Sequence, residues 1–261
     1  MIKLVACCSL SELHCACSGY EQRVMAEQRL QKVLAATGVD SRRKCEKLIL
    51  SGVVCVNRKV VDKLPTFVDP ETDVITVNGK KIHAAQKVYF LLNKPKGVIC
   101  SNRDPQGRKK AIDIVTSNER IFCVGRLDAD TTGIIILTND SELANRLTHP
   151  RYGLAKTYVV GVKGQIHGEA VEKLKRGGIW LAEGKTARSS VKILRRSPKE
   201  SLIEITIRQG LNRQIRRMLA RVGLPVKTLT RTRIGKLDNR GLGVGKYRRL
   251  TRAEVAYLKK V

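Results

Sequence analysis

Two carboxylates, Asp128 and Asp130, lie in a polar segment at positions 125–133 (GRLDADTTG), directly ahead of an apolar run at 134–137. Asp128 follows Arg126 by two residues. An ionised carboxylate can act as a nucleophile, and a neighbouring cation keeps it ionised. The same arrangement also occurs in purely structural ion pairs, and Asp130 fits a plain turn role. The segment therefore predicts Asp128 as a candidate nucleophile.

A tyrosine, Tyr158, follows Lys156 and Thr157 near the start of an alternating segment that predicts a strand at 157–162. A tyrosine ring can stack on a nucleic-acid base, and its hydroxyl can move a proton. An ordinary sheet aromatic explains Tyr158 about as well when it is taken alone. Tyr158 is a candidate site residue because it occurs together with Asp128 and with the basic segment at 212–218.

A basic helix is predicted at 213–222, within the motif 212–218 (NRQIRRM). On a helical wheel Arg213 and Arg217 lie on the face opposite the apolar stripe, where they suit phosphates. Arg216 lies at the border of the stripe, and a partly buried arginine needs an anionic partner, for which we expect Asp128. The apolar stripe itself is formed by Ile215, Met218, Leu219 and Val222.

The charge balance points to a polyanionic partner. The 261 residues include 51 Lys and Arg against 23 Asp and Glu, giving a formal net charge of +28, and the isoelectric point is near 10.2. Cations release condensed counterions from phosphates, whereas solubility needs only a modest net charge of mixed signs. The stretch 227–252 adds nine basic residues and one acid, a composition that suits a groove for a nucleic-acid backbone. A membrane span is not expected, because no apolar run approaches ~20 residues.

The eight cysteines do not predict disulfides or a metal site. Cys45, Cys55, Cys100 and Cys123 stand singly inside apolar patterns, as expected of small core residues in a reducing cytoplasm. The other four crowd the segment 1–24 without a common zinc spacing, and we expect that segment to be a disordered extension. These four are Cys7, Cys8, Cys15 and Cys17.

A small unit of two helices and a short sheet is predicted at 25–85. One helix ends at Gly38, and a second begins after Ser41 and stops at Gly52. Its first turn carries three cations that oppose the helix dipole but suit a bound phosphate, so we expect RNA contact there. Hairpins follow around 57–58 and at the Asn-Gly turn 78–79. The three cations are Arg42, Arg43 and Lys44.

The remaining chain, 86–261, mixes strands and helices without a regular alternation of the two. This pattern predicts an α+β fold with a largely antiparallel sheet. Strands are predicted at 88–92, 134–137, 157–162, 191–194 and 202–207, and helices at 141–148, 169–176 and 213–222.

Different parts of the chain resemble two protein families. Positions 29–34 (RLQKVL), 41–43 (SRR) and 52–57 (GVVCVN) resemble the S4 RNA-binding domain, with Arg58 where a hairpin glycine is usual. The motifs at 125–133, 156–158 and 212–218, with 91–97 (LLNKPKG) and 139–150 (NDSELANRLTHP), resemble the pseudouridine synthases. The likeness is to the RsuA, RluB, RluE and RluF branch, and most to the RluB type, with Leu211 in place of a common arginine.

The resemblance implies isomerisation of uridine to pseudouridine in ribosomal RNA, most simply of the large subunit (23S). It implies Asp128 as nucleophile, Arg216 as its ion-pair partner, Tyr158 as stacking residue and proton acceptor, and Arg126 as the residue that fills the gap left by the flipped base. We expect further RNA contacts from Lys94, Arg213 and Arg217, no cofactor or metal, a cytoplasmic location and a monomer.

Two other functions compete with this one. The first is a non-catalytic RNA-binding or ribosome-assembly factor that keeps the fold without the chemistry, although a pure binder needs no Asp128, Tyr158 and Arg216 at these positions. The second is a metal-dependent nuclease, which predicts clustered carboxylates or histidines. The four histidines are scattered through the sequence, which disfavours the nuclease.

Overall fold

The computed structural model describes residues 27–261. The extension predicted at 1–24, with its four cysteines, lies outside the described residues. The chain folds as two units, the first ending at His83 and the second spanning Ala84–Val261.

The first unit packs two helices on a small antiparallel sheet. The helix α1 ends because Gly38 takes a left-handed φ of 88°, and α2 stops in the same way at Gly52 (φ 70°), as predicted. The main sheet has the strand order β3-β2-β5-β6, and β1 pairs separately with β4. The elements are β1 Gln28–Arg29, α1 Leu30–Ala36, α2 Arg42–Leu50, β2 Val54–Val56, β3 Lys59–Val61, β4 Phe67–Val68, β5 Ile75–Val77 and β6 Lys80–Lys81.

Both hairpins of the first unit turn through left-handed residues. Asn78 and Gly79 form the second turn with φ of 49° and 73°. In the first turn Asn57 and Arg58 have φ of 51° and 67°, so Arg58 adopts the conformation that glycine would take more easily. Apolar side chains form the core between helices and sheet. It includes Leu30, Leu34, Cys45, Ile49, Val54 and Ile75.

The second unit is built on nine strands in one mixed sheet. The main path is β13-β14-β10-β15-β9-β7-β17, with β16 beside β15 and β8 beside β9. Strands β9 and β15 are parallel and the other pairs in the sheet are antiparallel. The nine strands are β7 Tyr89–Lys94, β8 Phe122–Cys123, β9 Thr132–Thr138, β10 Lys156–Lys163, β13 Ser190–Arg196, β14 Glu200–Ile207, β15 Val226–Ile234, β16 Leu237–Asp238 and β17 Tyr247–Arg249. Two short strands, β11 Trp180–Leu181 and β12 Gly184–Lys185, pair with each other in a separate sheet.

Helices cover both faces of this sheet, which explains the unbroken apolar run at 134–137. Ile135 and Leu137 pack in the core that α4 and α5 complete, whereas Ile134 and Ile136 pack in the core completed by α3 and α6. The predicted α+β fold with a largely antiparallel sheet is thus confirmed. The helices are α3 Ser141–Thr148, α4 Gly168–Arg176, α5 Gln214–Arg221 and α6 Arg252–Lys259, with 3-10 turns at Ala111–Ile114 and Pro150–Tyr152.

Candidate active site

The segment that carries Asp128 forms a tight loop between β8 and β9. The Thr131 amide donates to the Asp128 carbonyl (3.1 Å), and the Gly97 amide donates to the Ala129 carbonyl (2.7 Å). Leu127 is buried, and its amide donates to the Cys100 sulfur at 3.4 Å. Anchors on both sides of Asp128 therefore fix its backbone, whereas its side chain stays 35 % exposed.

The thiol of Cys100, beneath this loop, is electrostatically unusual. The hydrogen bond with the Cys123 thiol lowers its pKa, and so does the bond from the Leu127 amide, against the opposing effect of burial. The charges of Lys94 and Arg231 act in the same direction. Cys100 and Cys123 are both free thiols, consistent with the core role expected of them.

A cleft of about 320 Å³ opens beside the loop. Its walls come from the loop itself, the starts of β10 and α5, and the end of β15. Four of the predicted site residues line it, and so do two cations that were not among the predicted site residues. The predicted four are Arg126, Asp128, Tyr158 and Arg213, and the additional two are Lys156 and Arg231.

Asp128 is held by Arg213, not by Arg216. Arg213 Nη1 lies 3.2 Å from Asp128 Oδ2 and 3.4 Å from Asp130 Oδ1. Arg213 stands at the N-cap of α5 with a left-handed φ of 44°, and from there its side chain reaches both carboxylates. The predicted ion pair between Arg216 and Asp128 is therefore wrong.

Arg216 binds the far side of the same loop. Its Nη2 lies 3.1 Å from Asp130 Oδ2 and donates to the Asp130 carbonyl (3.2 Å) and the Thr131 hydroxyl (3.4 Å). Its side chain is only 13 % exposed, as the border position on the helical wheel predicted. Asp130, which the sequence suggested was a plain turn residue, thus links the two arginines.

Tyr158 lies on β10 and is 8 % exposed, with its ring in the core and one edge on the cleft. Arg126, in contrast, is exposed on the cleft wall. The structure therefore brings a carboxylate, a tyrosine and an arginine to one cavity.

Three predicted RNA contacts are occupied by protein partners. Lys94 is fully buried, and its Nζ donates to the carbonyls of Pro95 (3.0 Å) and Val98 (2.7 Å), so its predicted contact with RNA is wrong. Burial lowers the pKa of Lys94, and nearby negative charges partly offset this lowering. Arg217 is ion-paired with Glu183, and Arg213 is engaged by the two carboxylates of the loop.

In the first unit the three basic residues Arg42, Arg43 and Lys44 are exposed in the first turn of α2. Lys44 Nζ pairs with Asp40 Oδ2 at 2.6 Å. Ser41 stands at the N-cap position, but its side chain makes no capping hydrogen bond, and the first turn contains no acidic residue. This helix end therefore presents a positive surface.

Within residues 27–261, no group of three or more His, Cys, Asp or Glu side chains is arranged to hold a metal ion. The helices of the same region are all too short or too polar to span a bilayer.

Comparison with known proteins identifies both units. A family model described as RNA pseudouridylate synthase matches residues 88–221, and the S4 domain model matches residues 28–74. Ribosomal large subunit pseudouridine synthase B of Bacillus subtilis (strain 168) is 48 % identical over 235 residues, covering 89 % of this chain and 96 % of the relative. An uncharacterized RNA pseudouridine synthase of Aquifex aeolicus (strain VF5) is 42 % identical, with coverages of 90 % and 94 %.

Among solved structures, a crystal structure of a pseudouridylate synthase superposes with a TM-score of 0.65 at 28 % identity. The match covers 88 % of this chain and 99 % of that one. Sequence and fold thus agree along almost the whole length of both proteins. The chain belongs to the RNA pseudouridylate synthase family.

Proposed function

We propose that this enzyme isomerises specific uridines of large-subunit ribosomal RNA to pseudouridine, with Asp128 as the nucleophile. The observation that carries the proposal is the cleft in which Asp128, held by Arg213, lies with Tyr158 and Arg126. The 48 % identity to an enzyme named for the large ribosomal subunit supports the choice of substrate.

The reaction is an internal rearrangement of one nucleotide. The bond between N1 of uracil and C1′ of ribose breaks, the ring turns, and C5 bonds to C1′ while the C5 proton passes to a base. Asp128 acts either by attack on C1′ or by assisting elimination to a glycal. Tyr158 stacks on the ring and accepts the C5 proton, and N1 ends with a proton as a new hydrogen-bond donor.

The arginines divide the supporting roles. Arg213 orients the Asp128 carboxylate through the ion pair between them. Arg216 binds the backbone and side chain of Asp130, so it positions the loop rather than the nucleophile directly. Arg126, which is exposed on the cleft wall, fills the space that the flipped uridine leaves in its stack.

Substrate binding is assigned to both parts of the chain. An S4 domain at 25–85 contacts structured ribosomal RNA through Arg42, Arg43 and Lys44, and the catalytic domain at 86–261 carries the chemistry. The net charge of +28 supports this division, since it favours a polyanion. The proposal includes a cytoplasmic monomer that needs no cofactor, because the rearrangement requires no redox carrier.

The test maps pseudouridine in unmodified large- and small-subunit ribosomal RNA after incubation with wild type, Asp128→Asn or Asp130→Asn. Carbodiimide-dependent primer-extension stops report the product. We expect a stop in large-subunit RNA with the wild type and none with Asp128→Asn. Asp130→Asn is the matched control because it removes the charge that Arg213 and Arg216 share but leaves the nucleophile, so the same stop appears at lower yield.

A stop made equally well by Asp128→Asn would refute the assignment of the nucleophile. RNA binding by the wild type without any stop in either RNA would favour the non-catalytic assembly factor instead.

A further inference from the structure

Two cations that line the cleft have no acidic partner among residues 27–261. Arg231, on β15, is only 3 % exposed, and its Nε donates to the Ile134 carbonyl at 2.7 Å. Its Nη2 is buried and has no hydrogen-bond partner within residues 27–261. Buried polar groups are almost always satisfied, and Arg231 is one of the residues that line the cleft, so its unsatisfied nitrogen indicates a partner that binds there.

Lys156, at the start of β10, lines the same cleft. Burial lowers the pKa of Lys156, and the charge of Arg231 lowers it further. Neither forms an ion pair in the part of the chain that the structure describes. Like charges held together in a cavity are unfavourable alone and become favourable when an anion binds between them.

The two cations lie beside the proposed reaction centre. Arg231 is the direct cross-strand partner of Tyr158, since β10 and β15 pair antiparallel at this register. Lys156 precedes Tyr158 by two residues, and the side chains of all three line the cleft together with Asp128. A nucleotide placed against Asp128 and Tyr158 therefore meets both cations.

A purely structural role explains only part of the geometry. The Nε bond of Arg231 ties β15 to the neighbouring β9, and Gly133 provides the room for the Arg231 backbone to approach. That bond leaves Nη2 unused, and it gives no reason for a second cation, Lys156, in the same cavity.

We propose that Arg231 and Lys156 form a site for an anionic oxygen of the target nucleotide, and that this oxygen belongs to the detached uracil ring. The inference rests on the proposed function. When the bond to C1′ breaks, its electron pair remains on the ring and spreads from N1 to the carbonyl oxygens. Preorganised donors aimed at that developing charge lower the barrier, and they need not bind the uncharged ring of the substrate.

The experiment separates binding from chemistry in Arg231→Met, Arg231→Lys and Lys156→Met. Dissociation constants for an RNA fragment that the wild type modifies are measured first, followed by single-turnover rates with saturating enzyme. We expect Arg231→Met to lower the single-turnover rate by about 10²-fold, the size of effect seen when one such donor is removed. Lys156→Met lowers the rate in the same way, Arg231→Lys retains part of it, and all three bind RNA with nearly unchanged affinity.

Arg195→Met is the matched control on another strand of the same sheet. Arg195, on β13, is exposed and pairs with Glu200 at 2.6 Å, away from the cleft lining and outside the basic stretch 227–252, so its removal leaves the single-turnover rate unchanged. Thermal unfolding of each variant identifies any that fails to fold. If the Arg231 variants unfold, Lys156→Met still tests the anion site, because Lys156 is less deeply buried and makes no bond to β9.

A phosphate of the same nucleotide is the other candidate anion. In that case each variant binds RNA more weakly and releases about one counterion fewer on binding, so the affinity depends less on salt. The single-turnover rate at saturating enzyme stays at the wild-type value, which overturns the assignment to the uracil ring. Wild-type rate and affinity in the folded variants would overturn the anion site altogether. An inactive wild type would instead count against the proposed function, so the two failures are distinguishable.

Discussion

Replacement of Gly133 by alanine tests the close approach of strands on which the cleft is built. Gly133 is the β9 residue that pairs with Arg231 where the two strands run parallel. A Cβ at this position would lie 2.2 Å from the Arg231 carbonyl oxygen and 2.5 Å from its amide nitrogen. The φ of Gly133 is 106°, in the region that favours glycine. The substitution therefore combines backbone strain with a clash against main-chain atoms.

A control variant separates the backbone strain from the clash. Forcing an L-residue into a left-handed conformation costs roughly 1–2 kcal/mol. Overpacking against a rigid neighbour adds roughly 1–3 kcal/mol. Gly241 is the matched control because its φ of 70° is also positive but a Cβ there meets nothing within 4 Å. The clash alone should thus make Gly133→Ala less stable than Gly241→Ala by roughly 1–3 kcal/mol.

Thermal unfolding of the two variants and the wild type measures this difference. Both substitutions fall in the unit Ala84–Val261, where each kcal/mol shifts Tm by roughly 2–4 °C. We expect Gly133→Ala to melt roughly 2–12 °C below Gly241→Ala. Equal melting temperatures for the two variants would refute the close approach of β9 and β15.

Two further substitutions test how the helices beside the site are fixed. Asp140 caps α3 by accepting hydrogen bonds from the Glu142 and Leu143 amides, and it also accepts one from the Tyr89 hydroxyl. Asp140→Ala should therefore lower the free energy of unfolding, measured in urea, by roughly 1–3 kcal/mol, whereas Asp140→Asn should stay much closer to the wild type. An alanine variant as stable as the wild type would contradict the cap. Glu254 pairs with Arg248 at 2.7 Å and closes the capping box of α6. The hydrogen bond from Arg248 lowers the pKa of Glu254 below its usual 4.5, so its contribution is present above that pH and is lost as the pH falls below it. Glu254→Gln should therefore lower the free energy of unfolding by roughly 0.5–1 kcal/mol at pH 7, and by progressively less below pH 4.5. A stability difference between variant and wild type that grows as the pH falls would contradict this reasoning.

The sequence predicts the fold well where local signals agree. The helix at 141–148 and the strand pairs around 57–58 and 78–79 are found where the pattern places them, since caps, turn residues and periodicity coincide there. Asp128 and Tyr158 meet at one cleft although thirty residues separate them. Their association was predictable because the motifs occur together, not because either residue is distinctive alone.

The sequence fails where a side chain's partner depends on an unusual backbone or on deep burial. Arg213 reaches Asp128 from a left-handed φ, which a non-glycine residue rarely adopts, so the helical wheel favoured Arg216 instead. Lys94 and Arg231 are buried although such residues almost always face water. The sequence therefore assigned Arg231 to a basic surface at 227–252, where the structure has the central strand β15.

One signal for the missed residues was present. Lys156 stands in the motif with Tyr158, and Arg231 alternates with Leu229 along a segment of β-branched residues. Alternation of this kind predicts a strand, whereas the charge of the surrounding stretch favours a basic surface. The sequence does not predict which face of this strand is buried, because the neighbouring strands come from distant parts of the chain.

The most direct test of the central claim is release of tritium from ribosomal RNA that carries the label at C5 of uridine. Rejoining the ring through C5 must expel that hydrogen, so its appearance in water reports the chemical step itself. We predict release by the wild type and none above background by Asp128→Asn, with both proteins binding the RNA equally well. Release by Asp128→Asn at the wild-type rate would contradict the account, because the carboxylate at the centre of the cleft would then not be needed.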